Sequence, residues 1–327
     1  MYNQFNGMRI LLITPNKSAV TYHRLIAPHL ALQETQEAKV DMTTDMMDMF
    51  HPKFEGMDVI IFSRMILFDH FMVKGRKVMI EEVLHGLKKQ GVKVIVDIDD
   101  YWKLDKHHIL YNHLGEGFEE QTERSLRMAH EVITTNNRLK KKVKPFNKRV
   151  HVIPNVLNKY EQQWKQKKYK KKKAITFGYT GGDTHEQDLK QMQCTFKDVD
   201  SVAYLEAYKW CFNRIESYTD TFTYADLYND IDVNLVPLMQ TTFNSCKSNL
   251  KVIEAAQKGV ACAVSKVPPY TDWMPASLIT FEKGESWESI KDITLEEAQK
   301  LGKQLHEEMT ETYDIDHQSQ RRMEIYN

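Results

Sequence analysis

Y-N-D-I-D-V-N-L-V-P-L-M-Q-T-T-F-N-S-C-K-S-N-L-K-V-I-E-A-A-Q-K-G-V-A-C-A-V-S-K-V-P-P, residues 228–269, decides the fold class. An apolar strand at 233–236 ends at Pro237 and a polar loop. The loop, 240–245, leads into a helix expected to present Lys247, Lys251 and Glu254. Gly259 stops that helix, and a second apolar strand follows at 260–264. A strand–loop–helix–Gly–strand run is half of a parallel α/β sheet, where ligands sit outside the carboxyl ends of strands. The helix start offers free backbone N–H groups and the positive end of its dipole, an anion site. Lys247 and Lys251, four apart, are expected on one helix face, with Glu254 one turn further. Two cations beside such a helix suit a diphosphate, and the carboxylate suits a pair of sugar hydroxyls. The competing reading is a solvated Lys/Glu face, the common state of such pairs.

Outward from this stretch the same alternation recurs. Apolar runs fall at 10–14, 40–42, 59–62, 92–98, 132–135 and 150–153, then at 175–179, 202–205, 233–236, 260–264 and 278–281. Helical spacing fills the gaps at 22–32, 78–90, 118–130 and 137–143. Short apolar strands alternating with helices predict parallel sheets covered on both faces. Thr294-Leu295-Glu296-Glu297 is a capping-box signature that opens a long helix to about Thr312. Between the two series, residues 158–173 hold eight lysines and one Glu. That segment is expected to be a linker or an exposed helix. Tyr160, Trp164 and Tyr169 interleave with the lysines, which also allows a nucleic-acid or membrane contact. The expected organisation is an acceptor-side domain at 1–157, a linker at 158–173, a donor domain at 174–300, and a closing helix at 301–327 that returns to the first domain.

The chain has 327 residues, 42% hydrophobic, with as many basic as acidic side chains. Two domains are the default at this length. Zero net charge argues against a polyanion binder by bulk charge. Cys194, Cys211, Cys246 and Cys262 show neither metal spacing nor a disulfide framework, which suggests a reducing compartment. No signal peptide or membrane span is visible, and a soluble cytoplasmic protein is expected.

Three further constellations carry chemistry. F-G-Y-T-G-G-D-T-H-E-Q-D-L ends a strand in a glycine turn. Gly181 and Gly182 there allow backbone to approach a ligand, and His185 follows where it could meet a phosphate. The turn matches neither a dinucleotide fingerprint nor a Walker loop. V-D-I-D-D-Y-W places Asp97, Asp99 and Asp100 at a strand end. Crowded carboxylates suit a base, an acceptor-hydroxyl ligand or a metal, while a cap on the following turn is the plain alternative. The loop 15–21 leads to His23 and Arg24, which could handle an acceptor or the leaving phosphate.

Together with T-Y-H-R-L-I-A-P, A-H-E-V-I-T-T-N and V-H-V-I-P-N, these segments resemble the retaining GT-B glycosyltransferases. The resemblance is to the large bacterial and phage family that includes sucrose-synthase-like and mannosyltransferase-like enzymes, and it spans most of the chain. It implies two Rossmann-like domains facing a central cleft and a UDP- or GDP-sugar held mostly by the second. It implies an acceptor that is a glycan, a lipid-linked sugar or a modified base in DNA. Lys247 and Lys251 look like the diphosphate cations, Ser248 and Asn249 like the N–H donors, and Gly181 and Gly182 like the donor-facing turn. Glu254 matches the last glutamate of E-x7-E, which holds the ribose. The first glutamate falls at Cys246, a departure that bears on how the sugar is gripped. Asp99, Asp100 and His23 look like catalytic or acceptor-side groups. Transfer with retention and without a metal or other cofactor is expected.

Overall fold

The computed structural model describes residues 7–327 except 15–17, 52, 54, 107, 109, 170–171, 217–219, 221 and 274; at 73 and 112–116 it describes the backbone alone. Two compact units result, Met1–Asn155 with Ile315–Asn327, and Val156–Asp314.

In the first unit the strands are β1 (Met8–Ile13), β2 (Ala38–Thr43), β3 (Val59–Ser63), β4 (His70–Val73), β5 (Arg76–Met79), β6 (Lys93–Ile98), β7 (Glu131–Thr134) and β8 (Val150–Val152). Its helices are α1 (Ala19–Thr21), α2 (Ala27–Glu34), α3 (Ile80–Lys89), α4 (Tyr111–Met128) and α5 (Asn137–Val143). Six strands form one parallel sheet in the order β2-β1-β3-β6-β7-β8. Ile10, Leu12, Ile61 and Ile95 are buried in it, as continuous apolar strands covered on both faces require. β4 and β5 form a separate antiparallel hairpin where the sequence suggested only the approach to a helix.

The first helix is interrupted. Residues Tyr22–Ile26 wind as a π turn between α1 and α2, and Ala27 N–H bonds the Tyr22 carbonyl. Pro28 has no N–H to give the Arg24 carbonyl four residues back. That carbonyl accepts instead from Arg322 Nη2 at 2.8 Å.

The second unit carries β9 (Phe177–Tyr179), β10 (Ser201–Ala203), β11 (Arg214–Ile215), β12 (Val233–Val236), β13 (Ala261–Ser265) and β14 (Ile279–Phe281). Its helices are α6 (Glu186–Lys190), α7 (Leu250–Lys258), α8 (Pro268–Thr271) and α9 (Leu295–Thr310). The sheet is again parallel, ordered β11-β10-β9-β12-β13-β14. The chain winds outward in opposite directions from β9 and β12, which makes their junction the topological switch point. Gly259 caps α7 at φ 69°, and Thr294 and Glu297 form the capping box of α9. Gly302 of α9 lies so close to the Gly259 carbonyl that a Cβ there would approach it to 2.3 Å, so only glycine permits this contact.

Two expectations are corrected. Residues 158–173 are not a featureless linker in their described part. Trp164 is fully buried, and Lys167 lies 8% exposed with its ammonium on the Ile231 carbonyl and Asp232. Lys172 bonds Thr176 and Asp232 as well. One buried carboxylate, Asp232, collects these lysines, and no sequence composition reveals such a partner. The C-terminal stretch is two helices: α9 stays in the second unit, and α10 (Ile315–Tyr326) packs on α2 in the first.

Candidate functional site

The second unit's site is built at its switch point. β9 delivers Thr180, Gly181 and Gly182, and β12 delivers the loop to α7. Tyr179 packs edge-on against Tyr208 behind the glycine turn, and a Cβ at Gly181 would lie 2.0 Å from its hydroxyl. Gly181 is therefore dictated by this packing. At Gly182 a Cβ would meet open space, so there the small residue leaves room.

The loop differs locally from its sequence reading. Phe243–Lys247 turns tightly, with Cys246 N–H on the Phe243 carbonyl and Lys247 N–H on the Asn244 carbonyl. Lys247 is then extended, φ −64° and ψ 160°, and α7 begins only at Leu250 with Asn249 as its N-cap. The expectation that Lys247 and Lys251 share a helix face fails, because Lys247 precedes the helix. The tight turn nevertheless keeps both ammonium groups near His185, whose pKa both depress. No side chain caps α7, so its first amides lack a helical acceptor. Asn249 instead donates its side-chain amide to Tyr313 Oη at 2.6 Å, which anchors the N-cap. Ser248 is half-buried beside it.

Charge at this helix start is not internally neutralised. Lys251 Nζ lies 5.3 Å from the centre of the Tyr179 ring, and among the described residues no carboxylate pairs with it. Burial and the neighbouring Lys247 push its pKa down to about 8. Lys247 Nζ sits 4.8 Å from the Phe243 ring. His185 Nδ1 meets Asp188 Oδ2 at 2.6 Å, and Asp188 Oδ1 accepts from Met239 N–H at 2.7 Å. Burial, then Lys251, lower the His185 pKa to about 3, so the imidazole is neutral.

Glu254 is 4% exposed, one turn into α7. Its Oε2 accepts from Tyr228 Oη at 2.9 Å and Tyr224 Oη at 3.1 Å. Tyr228 Oη also meets Thr180 Oγ1 at 2.8 Å, which ties the carboxylate to the end of β9. Burial pushes the Glu254 pKa up to about 7, against the two hydroxyls and Lys251. With Oε2 committed, Oε1 remains for an incoming hydroxyl pair. The tyrosines, Thr180 and Asp188 were missed in the sequence. Tyr224 and Tyr228, four apart just before the diagnostic stretch, were the available signal. Cys246 is 1% exposed and offers no carboxylate.

In the first unit, the loop positions 15–17 lie outside the described residues. The aspartates at the end of β6 meet arginines. Asp97 bonds Arg24 Nε at 2.6 Å and Arg322 Nη1 at 3.0 Å, all three buried. Asp99 is gripped by Arg64 through both oxygens, each at 2.8 Å. Burial works against that carboxylate, but Arg64 and its hydrogen bonds hold its pKa below the usual value. Asp100 lies 3.6 Å from Arg64 and keeps 33% of its side chain exposed. His23 is buried in the π turn, with its pKa lowered by burial to about 4. The Asp97 network ties α10 to the sheet. Arg64, which adopts φ 66°, was visible in the sequence only as a break in an apolar run.

No protein-family model and no curated protein matches the sequence. Solved structures do match. Sucrose-phosphate synthase from Thermosynechococcus elongatus aligns at TM-score 0.65 and 11% identity, over 98% of each chain. A glycosyltransferase from Rickettsia africae aligns at 0.61 and 9%, again over 98% of each. Anabaena HepE in complex with UDP and glucose aligns at 0.59 and 11%, over 97% of this chain and 99% of that one. The chain therefore shares the GT-B fold of these proteins. Among the described residues, no helix is long and apolar enough to cross a membrane.

Proposed function

We propose that the protein is a glycosyltransferase that moves a sugar from a nucleoside-diphosphate donor to an acceptor hydroxyl, with retention and without a metal requirement. The observation that carries this reading is the uncapped α7 start with Lys247 and Lys251, one turn from Glu254, at the switch point of a Rossmann-like sheet. The neighbour HepE is seen with UDP and glucose, and we extend that ligand class to this site.

When the anomeric carbon–oxygen bond to the β-phosphate breaks, negative charge grows on the departing diphosphate. The α7 amides of Ser248 and Asn249 onward, with Lys251 and Lys247, stabilise that charge where it develops. Glu254 Oε1 accepts the ribose hydroxyls. Gly181 and Gly182 let backbone approach the phosphates, and His185, held by Asp188, lies beside them. The acceptor oxygen forms the new bond on the face the diphosphate leaves, and its proton passes to the leaving oxygen. Asp100 is the more exposed acceptor-side carboxylate, Asp99 orients Arg64, and His23 supports the turn beneath.

Calorimetry with UDP, GDP and their hexose conjugates tests the donor site; absence of binding to any of them refutes it. A second reading, a non-catalytic nucleotide-sugar-binding protein, is favoured by the buried thiol of Cys246 where the resemblance places a carboxylate. Binding without release of free nucleoside diphosphate would select it. For the acceptor, the lysine run adds little to a DNA reading, since Lys167 and Lys172 are tied to Asp232.

A further inference from the structure

We propose that the first unit docks on an anionic membrane surface through the loops at the carboxyl end of its sheet. Apolar side chains there would enter the interface, while the hairpin cations lie against lipid phosphates. This proposal stands independently of the donor-site reading.

The loops that leave β2 and β3 expose large apolar groups: Met47 and Phe50 after β2, Leu67 and Phe68 after β3, and Met72 on β4 at 63% exposure. They are not scattered. Buried Phe71 joins them, its ring 4.9 Å from Phe50 and 5.9 Å from Phe68. Leu67 N–H reaches Met46 Sδ at 3.3 Å, which joins the two loops directly. Strand ends and the loops that leave them share one edge of a parallel sheet, so the patch lies along that edge. A continuous exposed apolar patch on a soluble unit marks a contact surface.

The charge on this edge selects the partner. Lys74 and Gly75 form the two-residue hairpin turn, both at positive φ, 50° and 78°. The turn carries Lys74, Arg76 and Lys77 at the tip, all exposed. Lys77 pairs across the strands with Met72, so a cation and an apolar group share one face. Nearby acids are already engaged: Asp69 and Glu81 by Arg124, Glu82 by Arg76, and Asp48 by Thr43. Lys74 and Lys77 have no ion pair among the described residues. Apolar groups flanked by unneutralised cations match the boundary between acyl chains and anionic headgroups. A second copy of this chain fits less well, because its own hairpin cations would meet these.

The test uses the full chain with vesicles of phosphatidylcholine alone and of phosphatidylcholine with phosphatidylglycerol. Flotation is expected with the anionic vesicles and to weaken as salt rises. Lys74→Ala with Lys77→Ala should lower vesicle affinity about 25-fold, roughly fivefold per cation. Phe68→Ser with Met72→Ser should lower it about tenfold or more at every salt concentration. Both variants should keep their circular-dichroism melting curves and their affinity for UDP. Binding equal on the two vesicle types, binding unaffected by both variants, or no binding overturns the proposal. So does a concentration-dependent dimer that the Phe68 and Met72 changes disperse.

Discussion

Raising the pH from 8 to 10 should strip the free protein of its affinity for a nucleoside diphosphate, and the cause should be Lys251. That ammonium has no carboxylate partner, and burial beside Lys247 brings its pKa to about 8. A bound diphosphate supplies the missing negative charge and returns the pKa toward the ordinary lysine value near 10.4. The complex then holds a proton that the free protein has lost, so affinity falls as pH rises through this window. The slope approaches about tenfold per pH unit, which limits the total loss to about 300-fold if the pKa is fully restored. The ligand does not confuse the result, because its terminal phosphate is fully ionised above pH 8. Nor does Glu254, which titrates lower, at about 7. Calorimetry at pH 8.5 in buffers of different ionisation enthalpy should show net proton uptake on UDP binding. Lys251→Arg should flatten the profile, whatever affinity it loses at pH 7. Equal affinity at pH 7.5 and 9.5, or the same slope in Lys251→Arg, would refute the reasoning. The same lowered pKa carries a stability consequence of opposite sign. The unfolded chain binds more protons than the folded one between pH 8 and 10, so this group makes the free protein more stable as pH rises there. Lys251→Met should accordingly raise the melting temperature of the free protein while it abolishes diphosphate binding.

Other expected outcomes concern the neighbours of that lysine and the first unit. Glu254→Gln should weaken donor binding about 10- to 100-fold, the scale of one charged hydrogen bond; unchanged affinity would remove Glu254 from the site. Tyr228→Phe removes a hydrogen bond that lowers the Glu254 pKa, so any inflection near pH 7 in the binding profile should move up. An inflection that stays in place would show that Glu254 does not report there. Asp97→Ala leaves Arg24 and Arg322 buried without a counter-charge and should cost about 3–5 kcal/mol in denaturant unfolding. A cost under about 1 kcal/mol would show the pair relaxing into water. Turnover should survive EDTA; loss rescued by a divalent ion would assign a metal to the reaction.

The architecture was legible because parallel strands buried on both faces must be continuously apolar, and each such run in the sequence became a strand within a residue or two. α5 and α9 were legible too, since Asn136 and Thr294 cap them through their own side chains. The β4–β5 hairpin was not, because its exposed face carries Met72 beside Lys77 and hides the alternation. Lys247, Lys251 and Glu254 could be read as a group from local spacing. Their actual placement could not: a tight turn after Phe243 takes Lys247 off the helix, and spacing alone does not distinguish a turn from a first helical winding.

What the sequence determined by itself is local: where strands and helices run, which glycines end them, and which charges lie within a turn of one another. Tertiary structure decided the partners. Asp232 gathers lysines from 65 and 60 residues away, Arg322 reaches Asp97 across 225, and Tyr228 reaches Glu254 across 26. A carboxylate's role depends on which donors surround it and how much water is left. Asp97 and Asp99 stand two residues apart in one motif, yet one anchors the last helix and the other holds Arg64. Long-range packing sets those surroundings, because burial makes each charge dependent on whatever counter-charge the fold brings to it.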